Sequence, residues 1–199
     1  MTGKCRSVLS TIAAELTDNF STIRPLCPTR WLCRRPALQR IHDQYEVVLQ
    51  GLEAMSQAVS SEPATKARGL LAHFQAGQLL LGLKFALPVF SVLEELNVSL
   101  QAKNATISGM LQAVNNVHGY LTQLRSDEQF REILTSANVQ IAELDLEPLI
   151  LPRRRRPPAR FTGPAETYVA TTVEEYYSQP FFSFIDAAKN STLLDWRSS

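Results

Sequence analysis

The feature that most constrains the fold is a series of apolar stripes, spaced three and four residues apart, across residues 37–145. In the clearest stripe the intervals are 3-4-3-4-3-4, and the residues are Leu38, Ile41, Tyr45, Val48, Leu52, Met55 and Val59. This is the period of one helix face, and it predicts a single helix of about 24 residues. A coiled-coil seam has the same spacing, but about three heptads with few charge pairs beside the seam favour a helix bundle.

Similar stripes continue along the chain and predict further helices. They cover residues 67–85, 89–100, 107–124 and 130–144, with Pro88 dividing the first of these from the second. Each stripe must be buried against another element, and residues 37–145 show no strand-like alternation. Five successive stripes with short joins therefore predict a mainly α fold, arranged as an antiparallel helical bundle.

Start signals precede several of these helices. Ser61-Glu62-Pro63 looks like a stop and restart, with the proline tolerated in a first turn. Asn104 is the predicted cap of the helix over 107–124. Two pairs have capping-box spacing, Ser126 with Gln129 and Thr172 with Glu175.

The chain divides into four predicted segments. Residues 1–36 hold a shorter stripe over 7–23 and then a proline-broken turn, and residues 37–145 form the bundle. Residues 146–166 are a Pro/Arg-rich linker, with five of the chain's 11 prolines between Pro148 and Pro164. Residues 167–199 form an aromatic helical segment that is too apolar for a free tail. That segment needs a partner surface, either on the first helix or on another molecule.

Composition excludes several classes of protein. The formal net charge is +1, and three cysteines are too few for a disulfide framework, which indicates a reducing compartment. The most apolar stretch, 79–90, is about a dozen residues and contains Lys84 and Pro88, whereas a membrane span needs about 20 apolar residues. We therefore expect no membrane association.

Catalytic motifs are mostly missing, so we expect no enzyme activity, cofactor or metal. His42, His73 and His118 are isolated on predicted helices, whereas a ligand or catalytic histidine needs companions. His42 and Asp43 are adjacent on a helix and are expected to point apart, which argues against a charge-relay pair.

Positive charge is concentrated before and within the first bundle helix. Arg24 to Arg40 contains five arginines and no acid, with Trp31 among them. Arginine forks match phosphate, and an indole stacks on an unpaired base for about 1–3 kcal/mol. The candidate nucleic-acid contacts are Arg30, Trp31, Arg34, Arg35 and Arg40. In the alternative interpretation, which these residues alone favour, Trp31 packs in a core and the arginines are solvated or pair with Asp43 and Glu46.

A second basic cluster lies in the linker. It consists of Arg153, Arg154, Arg155, Arg156 and Arg160 and contains no acid. A nuclear-import signal, a phosphate-contacting arm and a plain soluble linker are all compatible with this composition.

A family resemblance begins at LCPTRW, residues 26–31, and continues through RRPALQRIHDQYEVVLQGLEAM, residues 34–55. It extends through LNVSLQAKNATISGMLQAVNNVHGYLTQLRSDEQF, LPRRRRPPARF and VEEYYSQPFFSFIDAAKN. These segments, in this order, resemble hAT-type DNA transposases and, more closely, the transposase-derived region of the zinc finger MYM-type protein 1-like group. The resemblance covers residues 7–190.

The resemblance implies an RNase H-like catalytic fold interrupted by a long helical insertion. It places Trp31, with Arg30, near the active site, where the tryptophan helps handle a flipped base. The family cuts DNA with three acids and two divalent ions. Two of the acids lie upstream of the TRW segment, and the third follows the YY-containing segment.

We therefore expect a non-catalytic fragment, made of the helical insertion with only a remnant of the catalytic fold. It is expected to bind DNA, itself or other proteins, through the bundle and the aromatic segment, and to be nuclear, with a cytoplasmic location as the alternative. The competing hypothesis is a helical protein-interaction (oligomerisation) module with no nucleic-acid role.

Overall fold

A computed structural model describes residues 11, 34–57, 62–104, 106–152 and 170–197. The predictions for the stripe over 7–23, for Arg30 and Trp31, and for residues 153–169 lie outside them. The described part of the chain is mainly α-helical, as predicted. Its helices are α1 (Arg34–Asp43), α2 (Tyr45–Ser56), α3 (Glu62–Gln75), α4 (Gly77–Leu100), α5 (Ile107–Leu124), α6 (Asp127–Glu143) and α7 (Val173–Arg197).

Helix α4 lies at the centre of the core. It is 24 residues long and contacts α1, α3, α5, α6 and α7. Leu80, Leu81 and Val89 of α4 are almost completely buried. Because so many helices bury their stripes on α4, it is apolar on several faces rather than on one. None of the helices in the described residues is long and apolar enough to cross a membrane.

The first predicted helix is divided in two at Gln44, so the prediction of one helix over the whole stripe is wrong. Gln44 has φ −115° and ψ 28°, outside the helical range. The backbone hydrogen bonds nevertheless continue, from Gln44 N to Arg40 O and from Val48 N to Gln44 O, both 3.0 Å. The change of direction lets α1 pack on α4 while α2 packs on α3.

Tyr45 fixes this bend from inside the core. Its side chain is 2% exposed, and its hydroxyl donates a 2.7 Å hydrogen bond to the Phe74 carbonyl at the end of α3. The two rings also lie 5.3 Å apart. Burial raises the pKa of Tyr45 to about 12, so the hydroxyl remains a donor throughout the physiological range.

The second predicted break was placed wrongly at Pro88. The chain instead breaks at Ala76, which is extended (φ −74°, ψ 118°), and Pro88 lies inside α4. Glu147 N donates to Gln75 O at 2.8 Å, and Gly77 N donates to Glu147 O at 3.1 Å. These bonds satisfy the backbone at the break. A proline in a helix interior costs about 3 kcal/mol or more, and burial of α4 on either side offsets this cost.

The helix starts agree with the sequence in three places and differ in one. Pro63 lies in the first turn of α3, as predicted. Asn104 does not cap α5; Thr106 does, and its hydroxyl accepts a 3.1 Å hydrogen bond from Gly109 N. Asn104 lies too far ahead of the first turn of α5 to reach its free amides.

Both predicted capping boxes are present as N-caps. Ser126 Oγ accepts from Gln129 N at 3.3 Å at the start of α6. At the start of α7, Thr172 Oγ1 accepts from Glu175 N at 3.1 Å, and Thr172 N donates to Glu175 Oε2 at 3.4 Å. The second pair is therefore reciprocal, which is the full form of the motif.

The aromatic segment finds its partner surface on this same chain. Phe181 and Ile185 of α7 are fully buried in the main core. The Phe181 ring lies 4.8 Å from that of Phe85 on α4 and 5.5 Å from that of Phe130 on α6. Phe184 is half-buried against the same core. Among the described side chains of this segment, Phe181 and Ile185 are therefore core residues and do not form an exposed patch.

Candidate nucleic-acid interface

The described part of the candidate interface begins at the first turn of α1. This turn contains Arg34 and Arg35 and no acid. The N-terminus of a helix carries a partial positive charge because its first amides have no intrahelical acceptor. The Arg35 side chain adds to that charge, so this end of α1 is electrostatically suited to an anion.

Arg35 is held on α4 by two contacts. Its Nε donates to Ser91 Oγ at 2.9 Å, and its Nη1 lies 3.8 Å from Glu94 Oε2. The Arg35 side chain is 44% exposed, whereas that of Glu94 is only 20% exposed. The guanidinium is therefore oriented by the protein while part of its surface still faces solvent.

The partner of Arg35 differs from the one that the sequence suggested. We expected solvated arginines or pairs with Asp43 and Glu46, but Arg35 pairs with Glu94. Glu94 Oε2 is buried and accepts no hydrogen bond, so Arg35 supplies the nearby positive charge that this oxygen needs. Sequence reasoning missed Ser91 and Glu94 because they are 56 and 59 positions away on another helix.

Arg40 lies at the other end of α1. It is in the last turn with His42, where positive side chains interact favourably with the helix carbonyls. Arg40 is half-buried and makes contacts of its own. Five residues of helix rotate the chain by about 140° relative to Arg35. The structure therefore does not bring Arg35 and Arg40 together on one face.

His42 and Asp43 do not point apart, so that expectation was wrong. His42 Nδ1 lies 3.3 Å from Asp43 Oδ1. The same carboxylate oxygen accepts a 2.8 Å hydrogen bond from Gln39 Nε2, one turn earlier. The Asp43 side chain is 55% exposed, so the group is a solvated surface contact at the end of α1.

Other arginines of the described chain are engaged in ion pairs with α7. Arg125 donates to both carboxylate oxygens of Asp186, at 2.6 and 3.0 Å, and Arg131 Nε donates to Glu174 Oε1 at 2.9 Å. The hydrogen bonds from Arg125 hold the pKa of the Asp186 carboxyl below its usual value. Arg125 and Arg131 are thus bound to carboxylates at hydrogen-bonding distance, whereas the Glu94 oxygen lies 3.8 Å from Arg35 Nη1.

The remaining predicted contacts, Arg30, Trp31 and the linker arginines 153–156 and 160, lie outside the described residues. Within the described ranges, no group of three or more His, Cys, Asp or Glu side chains is arranged to hold a metal ion. No protein-family model, no curated protein and no solved structure matches this chain.

Proposed function

We propose that this chain is a non-catalytic part of a hAT-type transposase-derived protein and that it binds nucleic acid in the nucleus. In this proposal α1–α6 are an antiparallel bundle that corresponds to the helical insertion of an RNase H-like fold. Two features support it: the order of the family-like segments in the sequence, and the mainly helical fold of the residues they cover. The helix α1 begins at Arg34, where the segment RRPALQRIHDQ begins.

The observation that carries the binding proposal is the state of Arg35. Its Nε donates to Ser91 Oγ, its side chain is 44% exposed, and it lies in a first helical turn that contains no acid. A pre-oriented arginine loses less side-chain entropy when it contacts a phosphate than a free one does. Arg34 precedes it directly in the sequence and is a second candidate contact.

The sequence outside the described residues contains further candidate contacts. Arg30 and Trp31 precede Arg35 by five and four positions in the sequence. Arginine contacts phosphate, and tryptophan stacks on an unpaired base. Arginines 153–156 and 160 supply either further phosphate contacts or the nuclear-import signal.

Fluorescence anisotropy with a labelled 20-nucleotide single strand and the matching duplex, from 50 to 300 mM NaCl, tests the proposal. Binding should weaken steeply with salt. Arg34→Ala with Arg35→Ala should reduce the slope of log K against log[salt] by about 0.9 per lost duplex contact. The matched control is Lys66→Ala with Arg68→Ala, which removes the same charge from an exposed part of α3.

Because Arg35 also faces the buried Glu94 oxygen, the Arg34/Arg35 variant is compared with one that adds Glu94→Gln. If both variants fold and both show the same reduction in the salt slope, the reduction results from the loss of the arginines. A salt-independent affinity, no binding, or equal losses in the α3 control would contradict the proposal.

A second candidate function is a helical protein-interaction module without a nucleic-acid role. Exposed apolar side chains on the bundle favour it, since Ile107 is 74% exposed, Val98 59% exposed and Leu111 45% exposed. The aromatic segment contributes little, because Phe181 is fully buried. Light scattering over a range of concentrations should then show association that Ile107→Ser with Leu111→Ser abolishes. A monomer at every concentration would exclude this form of the module.

A further inference from the structure

A groove with an apolar floor lies where α2, the end of α3 and the end of α6 meet. Its volume is about 330 Å³. The floor is made by Leu49 of α2, Leu71 of α3, and Leu144 and Leu146 at the end of α6. Glu147, just beyond, donates its amide to Gln75 O at 2.8 Å and so holds the end of α6 beside that of α3. The groove is thus built by tertiary packing and does not depend on a loose loop.

The rim of the groove is acidic. Glu46 and Glu53 line it from α2, and Glu143 and Asp145 line it from the end of α6. Glu46 and Glu53 are seven positions apart on α2 and therefore lie on the same helix face. Among the residues that the structure describes, no lysine or arginine lines the groove. None of the four carboxylates belongs to an ion pair among the described residues.

Two acidic residues, Glu143 and Asp145, lie at the C-terminal end of α6, where a negative charge destabilises a helix. A helix C-terminus carries a partial negative charge, and basic side chains are usually found there. The last turn of α6 has no basic residue, and Glu143 and Asp145 lie at this end. Lys84 interacts electrostatically with Glu143. Its Nζ, however, donates to Ser136 Oγ at 2.9 Å, and Lys84 does not line the groove. A positively charged ligand in the groove would relieve this repulsion.

We propose that this groove is the docking site for a basic segment of a partner protein. Apolar side chains of the segment would lie on the leucine floor, and its arginines or lysines would meet the carboxylates on the rim. Arginine suits such a rim because its fork bonds carboxylates in pairs. Nucleic acid is disfavoured here, since its phosphates carry the same sign of charge as the rim. The inference is independent of the nucleic-acid proposal at α1.

Fluorescence anisotropy tests this inference with a fluorescein-labelled octapeptide of sequence RRLRRLRR and the full chain. The matched probe is EELEELEE, which has the same leucines and the opposite charge. Glu46→Gln with Glu53→Gln should weaken RRLRRLRR binding at least tenfold. The control Glu128→Gln with Glu132→Gln removes the same charge from exposed positions at the start of α6 and should leave the affinity unchanged.

Each outcome decides the inference. Loss confined to the groove variant, with amide chemical-shift changes in α2 and at residues 143–146, supports it. Equal losses in both variants would show unspecific charge attraction and overturn it, as would equal binding of the two peptides or no binding. If binding appears only after Arg153, Arg154, Arg155 and Arg156 are changed to Ala, the chain's own linker is the occupant, which overturns a partner segment.

Discussion

The rings of Phe85 and Phe181 lie 4.8 Å apart at 46° to one another, and this contact joins the last helix to the centre of the longest apolar one. The two residues are far apart in the sequence, with the Pro/Arg-rich linker between them. Phe130 lies 5.5 Å from Phe181 and 6.0 Å from Phe85, so the three rings form one aromatic cluster. Helix α7 therefore shares the core of α4 and α6.

Replacement of Phe181 by Ala should destabilise the fold strongly. The side chain is fully buried, and a Phe→Ala change in a core costs about 3–5 kcal/mol from lost burial and the remaining cavity. Urea unfolding followed by circular dichroism measures this loss. Tyr176→Ala is the matched control on α7, because Tyr176 is 37% exposed, and it should cost about 1 kcal/mol or less. Similar losses in both variants would contradict the packing of α7.

The pairing of Asp186 with Arg125 predicts a specific acid sensitivity. Hydrogen bonding to Arg125 holds the pKa of Asp186 below the ordinary value of 3.8. Because the folded pKa is the lower one, this stabilisation is present above pH 3.8 and is lost as the pH falls through the folded pKa. Asp186→Asn should therefore lower the melting temperature at pH 7, and the difference from the wild type should shrink below pH 3.8.

Thermal melts of both proteins between pH 7 and pH 2 measure that difference. The pKa of Glu175 is also lowered, chiefly by hydrogen bonds from Thr171, so the wild type and the variant share its contribution. Only the difference in melting temperature between the wild type and Asp186→Asn at each pH therefore measures the contribution of Asp186. A difference that stays constant down to pH 2 would count against the ion pair.

The capping box of α7 makes a third prediction. Thr172→Ala removes the hydroxyl that accepts from Glu175 N at 3.1 Å, and loss of such a cap costs about 0.5–2 kcal/mol. Hydrogen exchange should show faster exchange in the first turn of α7, with slow exchange retained around Phe181. Thr135→Ala is the control, because Thr135 is an exposed residue inside α6, where Ala is the better helix former. If Thr135→Ala accelerated exchange in the first turn of α7 as much as Thr172→Ala does, a specific role of the Thr172 cap would be contradicted.

Local signals in the sequence predicted the helical character of the chain and two of the three helix caps. The apolar periods indicated helices, and Ser126 and Thr172 were identified as caps because their partners lie three residues away. The sites of the breaks at Gln44 and Ala76 were not predictable in this way. The apolar stripe continues unchanged across Gln44, and the division occurs because α1 and α2 pack on different helices.

The candidate site shows the same limit. The basic character of the first turn of α1 is visible in the sequence, but the contact of Arg35 with Ser91 and Glu94 depends on how α1 lies against α4. Likewise, the acids of the groove come from two distant segments, 46–53 and 143–145. These acids lie close together because of tertiary packing, which the spacing of residues along one sequence does not reveal.

The two glycines of α4 provide a matched test of the break at Ala76. A Cβ on Gly77 would lie 2.6 Å from the Glu147 carbonyl oxygen and 2.7 Å from Ile141 Cδ1, whereas a Cβ on Gly82 would meet nothing within 4 Å. Gly77→Ala should therefore cost about 1–3 kcal/mol through overpacking. Gly82→Ala should stabilise the exposed helix position by about 0.5–1 kcal/mol. Urea unfolding measures the free energy of unfolding, which should fall in the Gly77→Ala variant and rise in the Gly82→Ala variant. If Gly77→Ala were as stable as Gly82→Ala, the close approach of residue 147 to the start of α4 would be wrong.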